Sequence, residues 1–287
     1  MGQITNNAGL PAPIVKAISY SDRDTGNSDY SVTELIQPPR IVALKRQYAS
    51  EITEDAADRI WALMGSAAHE VLRRSAPDDG ITEKRFFVKL AGKTISGQVD
   101  YCAKTGKLSD FKFTSTYAVK EGVKPEWEQQ LNCYRWLMAH NGIETPAELE
   151  IIAILRDWSK NEARRNSDYP QQGVLVLPVP VWSMVETHRW LLERISMNEE
   201  ARLILPECSD DDMWAKPEKW AVRKKGGARA LRLYDSLEGA TAHAATDSKL
   251  EVEHRPGERV RCQGYCSVAP HCSQYQSWLA SQQQPTP

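Results

Sequence analysis

Two aspartates and a lysine lie close together in the middle of this chain, in the segments Ser96-Gly97-Gln98-Val99-Asp100 and Leu108-Ser109-Asp110-Phe111-Lys112-Phe113. Side chains alternate along a strand, so Asp110 and Lys112 share one face while Phe111 and Phe113 occupy the other, which we expect to be the buried one. The loop Lys104-Thr105-Gly106, with glycine at the left-handed position such hairpins need, pairs Ala103 with Lys107. Counting outward from that pair sets Asp100 opposite Asp110. Carboxylates this close repel each other unless a cation lies between them, and hard oxygen ligands favour Mg²⁺ or Mn²⁺. Such an ion acidifies a bound water and neutralises charge on a phosphodiester. Lys112 is placed to orient or deprotonate that water and to stabilise the transition state. Alone, an Asp…Asp-x-Lys string is equally the mark of a solvated surface strand.

Three further residues accompany the set. His69 ends Gly65-Ser66-Ala67-Ala68-His69 on an expected helix, where Gly65, one turn earlier, leaves room beside the imidazole. Gln130 and Tyr134 are four apart on a second expected helix, hence on one face, where either can bond a phosphate or the lysine. A G-x-x-x-H helix, a G-x-x-D strand, a D-x-K strand and a Q-x-x-x-Y helix, in this order, resemble the motif series of the PD-(D/E)XK superfamily, RecB-type branch. That branch includes the RecB and AddB nuclease domains, the nucleases of CRISPR adaptation and many phage exonucleases. The segment Ile154-Leu155-Arg156-Asp157-Trp158 and the region around Trp220-Ala221-Val222 are similar to phage-encoded members in particular.

The resemblance covers residues 31–205 and implies a divalent-metal-dependent DNA nuclease, in its exonuclease form, serving phage or bacterial recombination, repair or DNA processing. It implies His69, Asp100 and Asp110 as metal ligands and Lys112 as catalytic, with Gln130 and Tyr134 positioning substrate or lysine. It further implies DNA as partner, with a single-strand annealing or recombination protein beside it. The competing reading is a catalytically silent nucleic-acid-binding module on the same fold, against which the repulsive carboxylate pair argues.

These residues need elements to hold them. Apolar spacing predicts a helix over residues 54–74 capped by Thr53, strands around Phe86-Phe87-Val88 and over 95–101 and 108–114, and turns at Gly92-Lys93 and Thr105-Gly106. A helix over 125–141 begins with Pro125 and stops before Gly142. Strands follow at 150–158 and 174–181, the latter an edge strand because of Pro178 and Pro180, then a helix over 183–205. The expected fold is α/β, a restriction-endonuclease-like mixed central sheet flanked by helices. Residues 1–30 read as a flexible leader, 206–280 as a small ββαβ appendage with a Cys-rich loop packing on the core, and 281–287 as a disordered tail.

The appendage carries Cys262, Cys266 and Cys272, thiols spaced tightly enough to converge on one metal. They resemble the C-terminal iron-sulfur ligands of AddB and the CRISPR adaptation nucleases, although the first gap is longer by one residue. Where those relatives place a fourth cysteine as Cys-Pro-Arg, this chain has Gln37-Pro38-Pro39-Arg40. The resemblance implies a structural [4Fe-4S] cluster with Cys208 as fourth ligand; zinc with His271 and a metal-free thiol loop remain open alternatives. Cys102 and Cys133 read as core residues.

Hydrophobic residues at 41% and charged residues at 26% mark a globular chain. A formal net charge of −2 supplies no global attraction for a polyanion, so DNA contact must use local clusters such as Lys45-Arg46, Arg73-Arg74, Arg164-Arg165 and Arg223-Lys224-Lys225. No stretch suits a membrane span or a signal peptide, so we expect a cytoplasmic protein, in the host cytoplasm if phage-encoded.

Overall fold

A computed structural model describes residues 3–20, 26–77 and 79–282 of the chain. They divide into two compact units: residues 1–42 with 53–204, and residues 43–52 with 205–287.

The first unit is mixed α/β, with a central mixed sheet flanked by helices. Its framework runs β1 (Tyr30–Ser31), α1 (Ile60–Ser75), β2 (Ile81–Leu90), β3 (Lys93–Cys102), β4 (Lys107–Thr114), α2 (Pro125–Ala139), β5 (Glu148–Leu155), β6 (Val174–Val179) and α3 (Met184–Ala201). The strand order is β1-β3-β4-β5-β6, with β2 paired along the other edge of β3. The β4 and β5 strands are parallel, β3 and β4 antiparallel, and β6 lies at the sheet edge, where Pro178 costs no ladder bond.

Local chemistry sets these boundaries. The β2–β3 turn places Ala91 at φ 50° and Gly92 at φ 75°, two left-handed residues in succession, which is the two-residue turn whose twist matches the strands it joins. At the β3–β4 turn Gly106 has φ 82° and Ala103 N–H donates to Lys107 O at 2.9 Å, the pairing expected from the loop. Pro125 opens α2, and Gly142 at φ 73° follows its end. The Ser183 side chain accepts from Glu186 N–H to start α3.

Three expectations are corrected. Residues 3–20 are not an irregular leader: Gln3–Thr5 pairs in parallel with Thr53–Asp55, and Ala12–Ser19 is helical. The helix carrying His69 starts at Ile60, because Thr53–Asp55 is taken by that pairing and Asp55, accepting from Ala57 N–H, caps a 3-10 turn. The Phe face of β4 is not the buried one. Leu108 and Asp110 are buried beneath α2, whose Leu131, Cys133, Tyr134 and Leu137 belong to the core. Phe111 and Phe113 are half-buried on the side of α1, a helix with no buried residue. A sheet covered on both sides has no face that is buried by default, and the better apolar helix won the Asp/Lys side.

The second unit contains β7 (Lys219–Lys224), β8 (Ala230–Tyr234), α4 (Leu237–Ala244) and β9 (Leu250–Arg255), with β7 between β8 and β9. This is the expected ββαβ arrangement. A helix α5 (Ser273–Gln282) follows, and residues 283–287 of the expected tail lie outside the described residues. Among the described residues no helix is long and apolar enough to cross a membrane.

Candidate active site

The β3 strand has two neighbours on one edge. The β1 strand pairs at Ile95 and Ser96, and β4 pairs only at Tyr101 and Cys102. Between them the edge lacks a partner strand over Gly97–Asp100, which opens a notch in the sheet. Into it falls the carboxylate of Asp100, whose Oδ2 accepts the Phe111 N–H at 2.8 Å. The side chain substitutes for the missing ladder bond: the ladder ends at Tyr101 with Ser109, one residue short of the expected Asp100–Asp110 pairing.

On the other edge Thr82 faces Tyr101 and Lys84 faces Val99, so Glu83 stands opposite Asp100. Glu83 has φ 48°, a strained position for this residue type. Sequence reasoning missed it, although counting back from the Ala91-Gly92 turn reaches it. Gln98 donates to Glu83 and Arg85 donates to Gln98 at 2.9 Å, which fixes the Glu83 carboxylate. From α1, His69 Nδ1 lies 3.6 Å from Asp100 Oδ2 and 3.7 Å from Glu83 Oε1, and its ring meets Phe111 edge-on at 6.3 Å. Donor atoms of His69, Glu83 and Asp100 all lie within 4.8 Å of one another.

The electrostatics describe a group short of positive charge. Burial, then the charge of Asp110, pushes the Asp100 carboxyl up to about 7. His69 is raised, first by its bond with Glu83 and then, against burial, by Asp100 and Asp110. Burial pulls Glu83 upward, but its bonds with His69 and Gln98 together bring it below the ordinary carboxylate range.

Asp110 is not part of the donor trio. Its Oδ2 is fully buried and accepts no aligned hydrogen bond, while Lys112 Nζ stands 2.6 Å away as an ion partner. Lys112 donates to Gln130 Oε1 at 2.9 Å, and Gln130 Nε2 donates to the Tyr134 hydroxyl at 2.7 Å. The phenol thus fixes which way the Gln130 amide points, and its carbonyl oxygen is left for the lysine. Burial, then Asp110, raises the Tyr134 hydroxyl above its ordinary value, so it stays protonated. Gly97 gives Tyr134 its seat: a Cβ there would lie 2.7 Å from the ring and 2.8 Å from Leu137. Gly65 has no such role, because a Cβ on it would meet nothing within 4 Å.

A divalent ion suits this donor set. Ligands ~2.0–2.2 Å from a shared ion are about 3–4 Å apart, which the trio approaches, and the charge of the buried Asp110 carboxylate acts on it. All the expected residues of this centre, His69, Asp100, Asp110, Lys112, Gln130 and Tyr134, gather in two linked groups, the ion trio and the lysine chain.

The cysteines of the second unit are a separate matter. None of the six cysteines forms a disulfide, and Cys102 and Cys133 are buried as expected. Burial, then the charges of Cys266 and Cys272, raises the Cys262 thiol above its ordinary value. The Gln274 side chain exchanges two 2.9 Å bonds with the Cys208 backbone, tethering Cys208 to the start of α5 just after Cys272. His271 stacks on Tyr48 with centroids 4.3 Å apart, an engagement that competes with ligation. Among the described residues the thiols form no trio at single-ion spacing.

No known family's sequence profile matches the chain, and no curated protein matches it. Among solved structures, SSO0001 is similar over 65% of this chain and 84% of its own, at 18% identity and a TM-score of 0.43.

Proposed function

We propose that the chain is a divalent-metal-dependent DNA nuclease of the PD-(D/E)XK superfamily, RecB-type branch, with a restriction-endonuclease-like core and exonuclease action. The observation that carries this reading is the lysine. Lys112 is held by a buried Gln130–Tyr134 chain and paired with the buried carboxylate of Asp110, next to three converging ion donors. A surface strand has no need of an amide and a phenol buried to aim one ammonium group.

His69, Glu83 and Asp100 would hold Mg²⁺ or Mn²⁺, with Asp110 bordering the ion. When bound, the ion supplies Lewis-acid stabilisation of the phosphate and a more acidic water. The chain's own residues do the rest. Lys112 is paired with Asp110 and directed by Gln130, and its side chain orients the attacking water and offsets charge gathering on the phosphoryl oxygens. Gln98 and Arg85 hold Glu83 in place, and the Phe111 N–H holds Asp100. In the second unit, Cys208, Cys262, Cys266 and Cys272 fit a [4Fe-4S] cluster in kind and number, and a cluster several ångströms across holds its thiolates further apart than zinc does.

The test is digestion of 5′- and 3′-labelled single- and double-stranded DNA with Mg²⁺, Mn²⁺ or EDTA. Metal-dependent cutting that disappears in Asp110→Ala and Lys112→Ala is the expected result. Cutting that survives in Asp110→Ala overturns the site, and binding without cutting under every condition favours the silent module.

A further inference from the structure

We propose that Trp61 and Arg156, with the short helix Lys160–Arg165, form a track for single-stranded DNA leading to this centre. The inference rests on the nuclease reading and deepens it.

Trp61 lies in the first turn of the helix that carries His69. The two are eight residues apart, ~12 Å at ~1.5 Å rise per residue. Trp61 is 54% exposed, and the Arg156 guanidinium lies over its ring at 4.5 Å. Between Trp61 and His69, one helical turn from each, sits Gly65, beside which the space is open. A ligand can therefore run along the helix from the indole to the imidazole without meeting a side chain at that turn.

Arg156 reaches the same place from the sheet. In the parallel β4–β5 ladder Lys112 faces Ala153, and Arg156 N–H donates to Thr114 O at 2.8 Å just past the ladder's end. That puts Arg156 three residues, ~10 Å, beyond the level of Lys112. At the ~3.4 Å per nucleotide of a stacked strand, both distances span about three nucleotides.

Charge completes the fit. Arg156, Lys160, Arg164 and Arg165 are all exposed, and among the described residues none has a carboxylate partner. Asp157, within the same segment, is turned away to accept from Thr116 N–H at 2.7 Å. In a chain of net charge −2, residues 156–165 set four cations against Asp157 and Glu162, a locally positive segment suited to a polyanion. An aromatic platform beside a basic stretch is how proteins hold unpaired nucleotides: bases stack on the ring and phosphates follow the cations. Duplex cannot offer the unstacked base that the indole would take.

The binding test uses the Asp110→Ala chain in EDTA, so that nothing is cut. Fluorescence anisotropy compares a labelled oligothymidylate with a blunt hairpin duplex. Trp61→Ala and Arg156→Ala should each weaken single-strand binding about tenfold or more, while Trp61→Phe keeps most of the affinity. Joint Arg164→Glu and Arg165→Glu should flatten the salt dependence by ~0.7 in log–log slope for each phosphate no longer neutralised. Unchanged affinity in Trp61→Ala and Arg156→Ala overturns the track, and an equal loss on the blunt duplex overturns its single-strand character. Hydrolysis of bis(p-nitrophenyl) phosphate with Mn²⁺, which needs only the centre, is measured in parallel on chains retaining Asp110. It should be the same in wild type and Trp61→Ala. If wild type hydrolyses neither this diester nor DNA, the nuclease reading fails whatever the binding arm shows.

Discussion

Replacing Asp100 with asparagine should make the metal-free protein more stable while removing its response to metal. The Asp100 side chain is only 12% exposed, and its carboxyl is raised from an ordinary 3.8 to about 7, by burial first and by Asp110 second. Because the folded value is the higher one, Asp100 favours folding fully at pH below the unfolded value. That contribution is lost progressively as pH rises from about 4 to about 7 and is absent above it. At ~1.36 kcal/mol per pH unit the loss has a ceiling of about 4 kcal/mol. Asparagine carries no charge and keeps an oxygen to accept the Phe111 N–H, so it escapes most of this loss. Each kcal/mol moves the melting temperature by roughly 2–4 °C in a large domain. Differential scanning calorimetry of both proteins in EDTA, from pH 4 to pH 8.5, should show melting temperatures that converge at the acid end. They should separate in favour of Asp100→Asn by roughly 5–10 °C above pH 7. Adding Mg²⁺ or Mn²⁺ at pH 8 should raise wild type and leave the variant unmoved. An Asp100→Asn protein that is no more stable than wild type at pH 8 in EDTA, or that gains equally from metal, would refute the account of this carboxylate as an unmet ion ligand.

Other perturbations test neighbouring parts of the site. Gln130→Ala should lower kcat about 10- to 100-fold with little change in KM, because Lys112 loses the acceptor that aims it; steady-state kinetics on labelled DNA reads this directly. Gly97→Ala forces a Cβ to 2.7 Å from the Tyr134 ring, so urea denaturation should show a loss of about 1–3 kcal/mol, accompanied by reduced turnover as the phenol shifts. Glu83→Gln should raise the Mg²⁺ concentration for half-maximal activity about tenfold or more, measured by metal titration, since one of the three converging donors loses its charge. Anaerobically purified protein should show thiolate-to-iron absorption that is lost in Cys262→Ser, whereas a colourless protein with stoichiometric zinc would exclude the cluster.

Most strands and helices of the central sheet were legible in the sequence, though not the pairing of Gln3–Thr5 with Thr53–Asp55 or the helix Ala12–Ser19. Strand and helix periods, the Gly106 turn and the Pro125 and Gly142 helix ends are local signals, since each depends on backbone preferences a few residues long. For that reason the Asp100–Asp110 register and the Gln130–Tyr134 face could be counted along the chain. Glu83 was legible by the same arithmetic from the Ala91-Gly92 turn, but its residue type carries no distinguishing mark on a charged strand.

Tertiary structure alone decided what those residues meet. Which side of β4 would be buried depended on competition between α1 and α2, and α2 won because it brought Leu131, Tyr134 and Leu137 against the sheet. The notch beside Asp100 exists because β1 and β4 share one edge of β3 without meeting, an arrangement set by strands from distant parts of the chain. The stacking of Arg156 on Trp61 joins residues ninety-five positions apart, and no pattern in either segment announces it. Periodicity tells which side chains share a face; the charge and burial of that face are set by whatever packs on it, and this is a property of the whole fold.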